Sequence, residues 1–226
     1  MSRNKVIRTP VARHIPVIMS EMQAAADTLQ EIGWGVSVFG SARIKPDSPW
    51  YTLAHAMGQR LAQAGLPVIA GGGPGIMEAA NKGAFNAGGQ SIGLNIKLPR
   101  ETHNNAYQTH SLDFEYFYSR KATFFMHSAA YIALPGGFGT LDELFEVLTL
   151  IQTGKVPPAP VILMGSPFWT GLLDWIKETL EADHLIGPDD IRLMTLTDSI
   201  DEAMQLIEAF VQDEAEALGY AAIIPE

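Results

Sequence analysis

The sequence predicts a single-domain α/β fold, a Rossmann-like doubly wound parallel sheet of about seven strands with helices on both faces. Three observations predict it. Short apolar runs alternate with longer amphipathic segments about seven times along the chain. Most of these runs are continuous rather than alternating, as expected of strands buried on both faces. Glycine-rich turns follow several of them, at positions where a parallel strand hands the chain to a crossover helix.

The elements follow in order. An amphipathic helix is expected over residues 16–32, then a buried strand at "VSVFG" (36–40). A helix over residues 49–64 leads to the strand "LPVIAGG" (66–72), and a helix across "GIMEAANKGAFNAG" (75–88) leads to "SIGLNI" (91–96). A polar loop, 97–109, separates this strand from a short one near "SLDFEYF" (111–117). The helix "SRKATFFMHSA" then enters the strand "YIALPGG" (131–137). In the next helix, "TLDELFEVLTLIQTG" (140–154), Leu141, Leu144, Phe145 and Leu148 recur at the spacing of one apolar stripe. "PPAP" stiffens the loop before the strand "PVILMG" (160–165). A helix over 167–180, a strand "IRLMTLT" (191–197) and a helix from 200 to about 218 complete the pattern.

Composition narrows the function classes. The 226 residues are 47 % hydrophobic and 18 % charged, which suits a globular protein with a core. No cysteine occurs, so disulfides and thiolate metal sites are excluded and a reducing, cytoplasmic setting is expected. A net charge of −10 argues against a nucleic-acid footprint, which needs clustered Lys and Arg. No apolar run is long enough to span a bilayer. Residues 1–13 read as a flexible basic tail rather than a leader, because the apolar stretch "IPVIM" is too short; one domain is expected over 14–220. No metal or cofactor is expected.

In doubly wound sheets, ligands bind outside the carboxyl ends of the strands. The positions after the strands are "FGSAR" with Gly40 and Ser41, "GGGPGIME" with Gly72, Gly73 and Gly75, "YSRK" with Arg120 and Lys121, and "PGGFGT" with Gly136, Gly137, Gly139 and Thr140. Glycine lets the backbone approach a ligand, and the amides of the following helical turn bind an anion. Neither glycine loop fits G-x-G-x-x-G, because Glu78 and Asp142 stand at the third glycine position, and no Gly-Lys-Ser/Thr follows. The loops therefore favour a mononucleotide or sugar phosphate over NAD or Mg-ATP. Tight packing of turn on sheet is the competing reading.

Glu143 is open to two readings. Thr140 and Glu143 spell a capping box, T-x-x-E. That box would occupy the amides an anion needs, and a carboxylate at 4 Å from a phosphate costs about 4 kcal/mol at an effective dielectric near 20. Both are satisfied when the phosphate takes the amides and Glu143 faces the sugar. Glu146, three residues on, is expected to share that face, and Asp142 to face solvent. Two cations opening one helix are unfavourable to its dipole, so Arg120 and Lys121 are expected to bind an anion; pairing with a surface acid is the competing reading. Amphipathic stretches at 18–29 and 124–126 suit the core or a dimer surface.

These residues resemble a known family. "PGGFGTLDE" matches the P-G-G-x-G-T-x-x-E signature of the LONELY GUY family, the cytokinin riboside 5′-monophosphate phosphoribohydrolases, and "RK" in "YSRKATFF" matches its basic pair. "GGGPGIMEAAN", "FGSAR" and "LNIKLPRE" are similar to its longer bacterial members, and the similarity covers residues 36–180. The resemblance implies a homodimer that hydrolyses the N-glycosidic bond of a nucleoside 5′-monophosphate, without a cofactor. It places the catalytic pair on Arg120 and Glu143. Nucleotide contacts fall on Gly136, Gly137, Gly139, Thr140 and Lys121, with Glu101 as a loop carboxylate and Thr149 at the border. Glu78 replaces the last glycine of the plant G-L-M-G turn. The implied reaction needs a base pocket, for which Phe39, Tyr107 and Phe138 are the candidate aromatics, and a leaving-group acid, for which His103 and His127 are candidates by residue type alone. Older labels call such sequences lysine decarboxylases, but no motif here supports a pyridoxal phosphate site. The rival readings are a non-catalytic nucleotide or molybdopterin-type carrier and a DNA-processing domain, the latter disfavoured by the negative charge.

Overall fold

A computed structural model describes residues 11–98 and 104–217. Seven parallel strands form one sheet in the order β4-β3-β2-β1-β5-β6-β7. They are β1 (Gly35–Phe39), β2 (Val68–Ala70), β3 (Ser91–Ile96), β4 (His110–Phe114), β5 (Ser128–Ala133), β6 (Val161–Leu163) and β7 (Met194–Leu196). The five inner strands are almost wholly buried, whereas edge strand β4 alternates and edge strand β7 is half-buried. Continuous apolar runs therefore mark the centre of the sheet, as a parallel sheet covered on both faces demands.

Seven α-helices cover it: α1 (Ile15–Gln30), α2 (Pro49–Gln63), α3 (Ile76–Asn86), α4 (Phe117–Met126), α5 (Phe138–Gln152), α6 (Ser166–Trp175) and α7 (Ile200–Ala217). One core layer joins α2, α3 and α7 to the sheet through Met57, Leu61, Ile76 and Ile207. The other joins α1, α4, α5 and α6 through Leu29, Phe124, Leu144 and Trp169. The stretches at 18–29 and 124–126 supply Ala25, Leu29, Phe124 and Phe125 to this second core, while Met19 and Met126 stay exposed.

Differences from the expected elements lie at their ends. Residues 11–13 of the expected tail form a 3-10 turn. The expected helix over 167–180 divides into α6 and a π-helical turn, Ile176–Glu181. β7 is shortened by a 3-10 turn at Asp190–Leu193. The remainder of the tail, residues 1–10, and the expected domain end at 220 lie outside the described residues.

Strand order reverses between β1 and β5, which makes their carboxyl ends the switch point of the sheet. The two strands stay laced past their ends: Leu134 N donates to Phe39 O at 2.9 Å, and Ser41 N to Pro135 O at 3.1 Å. Beyond this lacing the two glycine turns part and a crevice opens.

Candidate functional site

The crevice is a cleft of about 610 Å³, within the size range that holds small ligands, about 300–1,000 Å³. The β1–α2 loop supplies Gly40, Ser41, Ala42 and Arg43, and the turn after β2 supplies Gly71 and Gly73. From the other side come Arg120, Gly137, Phe138, Gly139, Thr140 and Glu143. Met77, Ile96, Leu98, Phe117 and Leu141 give it an apolar wall.

Helix α5 starts earlier than its sequence suggests. Gly137 is the N-cap, with no side-chain cap, so Thr140 is the third helical residue and Glu143 stands in the second turn. The T-x-x-E pattern is therefore not a capping box here. Thr140 is buried and packs on Gly136, where an added Cβ would lie 2.1 Å from its Oγ1. The first amides of α5, at Phe138, Gly139 and Thr140, have no hydrogen-bond partner among the described residues, as at any helix N-terminus without a cap. A Cβ added at Gly137 or Gly139 would meet nothing within 4 Å, so a ligand can reach those amides.

Arg120 and Lys121 are the fourth and fifth residues of α4, beyond the first turn, so the helix dipole does not oppose them strongly. They point to different places. Arg120 is 6 % exposed; its Nε donates to Leu94 O at 2.7 Å and its Nη2 to Gly71 O at 3.2 Å. Gly71 admits it, because a Cβ there would lie 2.2 Å from Nη2. The carbonyls at the ends of β2 and β3 thus aim the guanidinium, and Nη1 stands 3.9 Å from Glu143 Oε1. That distance exceeds a hydrogen bond. Lys121 instead reaches Asp142 at 3.0 Å and Glu146 at 2.5 Å. With Thr149, whose hydroxyl donates to Phe145 O, these three line a separate shallow depression.

The Glu143 side chain is 14 % exposed. Burial pushes its carboxyl up from 4.5 to about 7. Arg120 and Lys121 pull the value down, and the charges of Asp142 and Glu146 push it up. At neutral pH both forms of Glu143 are populated, the poise of a proton-transferring or charge-stabilising group.

Of the residues singled out in the sequence, the cleft gathers Gly40, Ser41, Gly73, Arg120, Gly137, Gly139, Thr140 and Glu143, together with Phe138, which is 92 % exposed. Others turn elsewhere. Gly72 faces Asn95 and Gln108, and Gly75 caps α3 at φ 69°, where a Cβ would lie 2.3 Å from Ser41 O. Gly136 backs onto Thr140, and Glu146 leaves the cleft face for Lys121. Glu78 accepts from the Tyr51 hydroxyl at 2.8 Å. Phe39 is buried against Phe124 and Tyr131, and Tyr107 packs on Phe85 and Lys82. His127 caps α4 at the amino ends of β1 and β5, where its carbonyl accepts from Gly35, at the opposite end of the sheet from Glu143. Glu101 and His103 lie outside the described residues. Sequence reasoning marked the stretches that hold Gly71 and Arg43 without singling out either residue, and missed Asn95, which also lines the cleft. "GGG" hid which glycine admits Arg120, and Arg43 sat in plain view in "FGSAR".

Residues 77–207 match the family model described as "Possible lysine decarboxylase". Pyridoxal enzymes hold their cofactor on a lysine, and no lysine lines this cleft among the described residues, so the arrangement does not fit that chemistry. The cytokinin riboside 5′-monophosphate phosphoribohydrolase LOG1 of Arabidopsis thaliana is 32 % identical over 162 residues, covering 70 % of this chain and 75 % of its own. The cytokinin riboside 5′-monophosphate phosphoribohydrolase of Mycobacterium marinum is 30 % identical over 178 residues, 76 % of this chain and 92 % of its own. Among solved structures, the molybdenum cofactor carrier protein of Chlamydomonas reinhardtii superposes with a TM-score of 0.60 at 20 % identity, covering 80 % of this chain and 99 % of its own, a likeness of fold. The signature turn, the basic pair and these matches agree: the chain belongs to the LONELY GUY family of cytokinin riboside 5′-monophosphate phosphoribohydrolases.

Proposed function

We propose that this chain hydrolyses the N-glycosidic bond of nucleoside 5′-monophosphates, AMP or its N6-modified cytokinin forms, to free base and ribose 5-phosphate. The observation that carries the reading is the Arg120–Glu143 pair, buried at 3.9 Å in a cleft that also holds the open N-terminus of α5. The phosphate takes the amides of Phe138, Gly139 and Thr140, with Arg43 at the mouth as its cation. Glu143 then stands three to five residues further along α5, about 5–8 Å at 1.5 Å per residue, a separation that a ribose spans. Its carboxylate faces the positive charge that builds on the sugar as the bond to the base breaks. It also accepts the proton of the water that adds to the anomeric carbon, while the base leaves with the bonding electrons. Arg120, with Nε and Nη2 committed to carbonyls, is not available as a two-pronged phosphate grip; it balances the charge of Glu143. The base lies on the apolar wall. The reading includes a homodimer, a cytoplasmic setting and one domain over residues 14–220. A carrier on this fold needs the phosphate loops but has no use for a buried carboxylate beside a guanidinium.

Chromatographic detection of adenine from AMP tests the proposal. Wild type releases base, and Glu143→Gln retains nucleotide binding but loses most turnover. Near wild-type release by Glu143→Gln, or binding without product across several nucleotides, overturns it.

A further inference from the structure

We propose that Lys121 is a positioning residue: held between Asp142 and Glu146, it locks α4 and α5 in the register that sets Arg120 against Glu143. The inference rests on the reading of Arg120 and Glu143 as the reacting pair. Lys121 follows Arg120 on α4, and Asp142 and Glu146 flank Glu143 on α5. Its ammonium lies 3.0 Å from one Asp142 oxygen, 3.1 Å from the other and 2.5 Å from Glu146 Oε2. The lysine side chain is 18 % exposed and those of its partners Asp142 and Glu146 are 56 % and 37 % exposed, so the ammonium is shielded while the carboxylates stay in contact with solvent.

The reacting pair itself lacks such a restraint. Arg120 is fixed by the carbonyls of Leu94 and Gly71, but Glu143 makes no hydrogen bond among the described residues, and 3.9 Å is too long for a direct one. Where Glu143 stands therefore depends on where α5 as a body stands against α4. The Lys121 contacts join those two helices beside the pair, one residue from Glu143 at Asp142 and three residues from it at Glu146. With its ammonium committed to two carboxylates outside the cleft, Lys121 is not poised to grip substrate.

The contacts also shape the field at Glu143. The charged groups acting on it are Arg120 and Lys121 from α4 and Asp142 and Glu146 from its own helix, while Arg43 lines the same cleft from the β1–α2 loop. Lys121 favours the carboxylate, whereas Asp142 and Glu146 oppose it. Lys121→Met therefore removes a cation and leaves two acids uncompensated, raising the proton affinity of Glu143. Glu146→Gln removes an opposing charge and lowers it.

The test measures kcat and KM for AMP against pH in wild type, Lys121→Met, Lys121→Arg and Glu146→Gln, with NMR titration of the Glu143 carboxyl in each nucleotide-unbound protein. Lys121→Met is expected to lose about 10–100-fold in kcat with KM within about threefold, as for a misplaced reacting group. Glu143 is expected to titrate higher in Lys121→Met and lower in Glu146→Gln, and Lys121→Arg to restore most of kcat. Opposite shifts separate positioning from general loss of packing. A rise in KM with kcat and titration unmoved makes Lys121 a substrate contact and overturns the proposal, as does no change at all. Absence of base release by wild type instead defeats the functional reading, while the titrations still decide whether Lys121 governs Glu143.

Discussion

Glu143→Gln has a consequence for stability that is independent of turnover. In an unfolded chain the carboxyl ionises near 4.5, and in the fold near 7. Between those values the folded state binds more protons than the unfolded one, so stability falls as pH rises through this window and levels off above it. At about 1.4 kcal/mol per tenfold change in proton affinity, the difference between 4.5 and about 7 amounts to about 3 kcal/mol. Glutamine has nearly the same shape and carries no charge at any pH, so the variant escapes this loss.

Urea or thermal unfolding of both proteins across pH is the assay. The variant is expected to gain on wild type by about 2–3 kcal/mol between about pH 5 and about pH 8, or roughly 4–12 °C in melting temperature for a chain of this size. Any fixed cost of placing an amide beside Arg120 is the same at every pH and cancels from that difference. Parallel stability curves, with a gap that does not widen toward alkaline pH, would refute the reasoning: the carboxylate would then be as well solvated in the fold as outside it. A widening gap means that the wild-type chain carries a destabilising charge which its fold does not need, as sites shaped for chemistry often do.

Other outcomes follow from the same geometry. Arg120→Met leaves the Leu94 and Gly71 carbonyls and a buried acid without their partner, and is expected to cost about 3–5 kcal/mol by urea unfolding at about pH 8, less near pH 5 where Glu143 is protonated; an equal cost at both pH values contradicts the pairing. Arg43→Ala removes the cation at the cleft mouth, and steady-state kinetics are expected to show a KM raised about 10–100-fold with kcat within about threefold, the loss of one charge-assisted contact. His127→Ala, at the opposite end of the sheet, is expected to keep kcat/KM within about twofold; a tenfold loss would mean that the amino ends of β1 and β5 influence the cleft.

What could be read from the sequence depended on whether the signal was local. The five inner strands were legible because buried parallel strands are continuous apolar runs, the two edge strands from their place in the alternation, and the cleft because several strands end in a turn of distinctive composition. The start of α5 was not legible. Gly137 caps it without a side chain, while Thr140 and Glu143 imitate a capping box three residues later. Phe39 and Phe138 flank glycine turns alike, yet one faces the core and the other is exposed, because the pleat of β1 turns Phe39 onto Phe124. The divergence of Arg120 and Lys121 was equally hidden. On a helix, adjacent residues point about 100° apart, so one of a basic pair must leave any site the other enters. Which one leaves is decided by where Gly71 opens space and where Asp142 and Glu146 stand, and both facts belong to the assembled sheet.

That division explains how one carboxylate can sit within a ring of charges and still be poised near neutrality. Burial alone would hold Glu143 protonated, and Arg120 at hydrogen-bond distance would hold it ionised. The fold adopts neither limit. Two backbone carbonyls restrain Arg120 at 3.9 Å, near enough to oppose desolvation but too far to quench it. Lys121 adds a second cation whose pull on Glu143 is outweighed by the two acids that hold it. Burial thus raises the proton affinity of Glu143, and the Arg120 distance, anchored in the sheet, moderates it most among the charges, so a displacement of either α4 or α5 that altered that distance would alter the affinity.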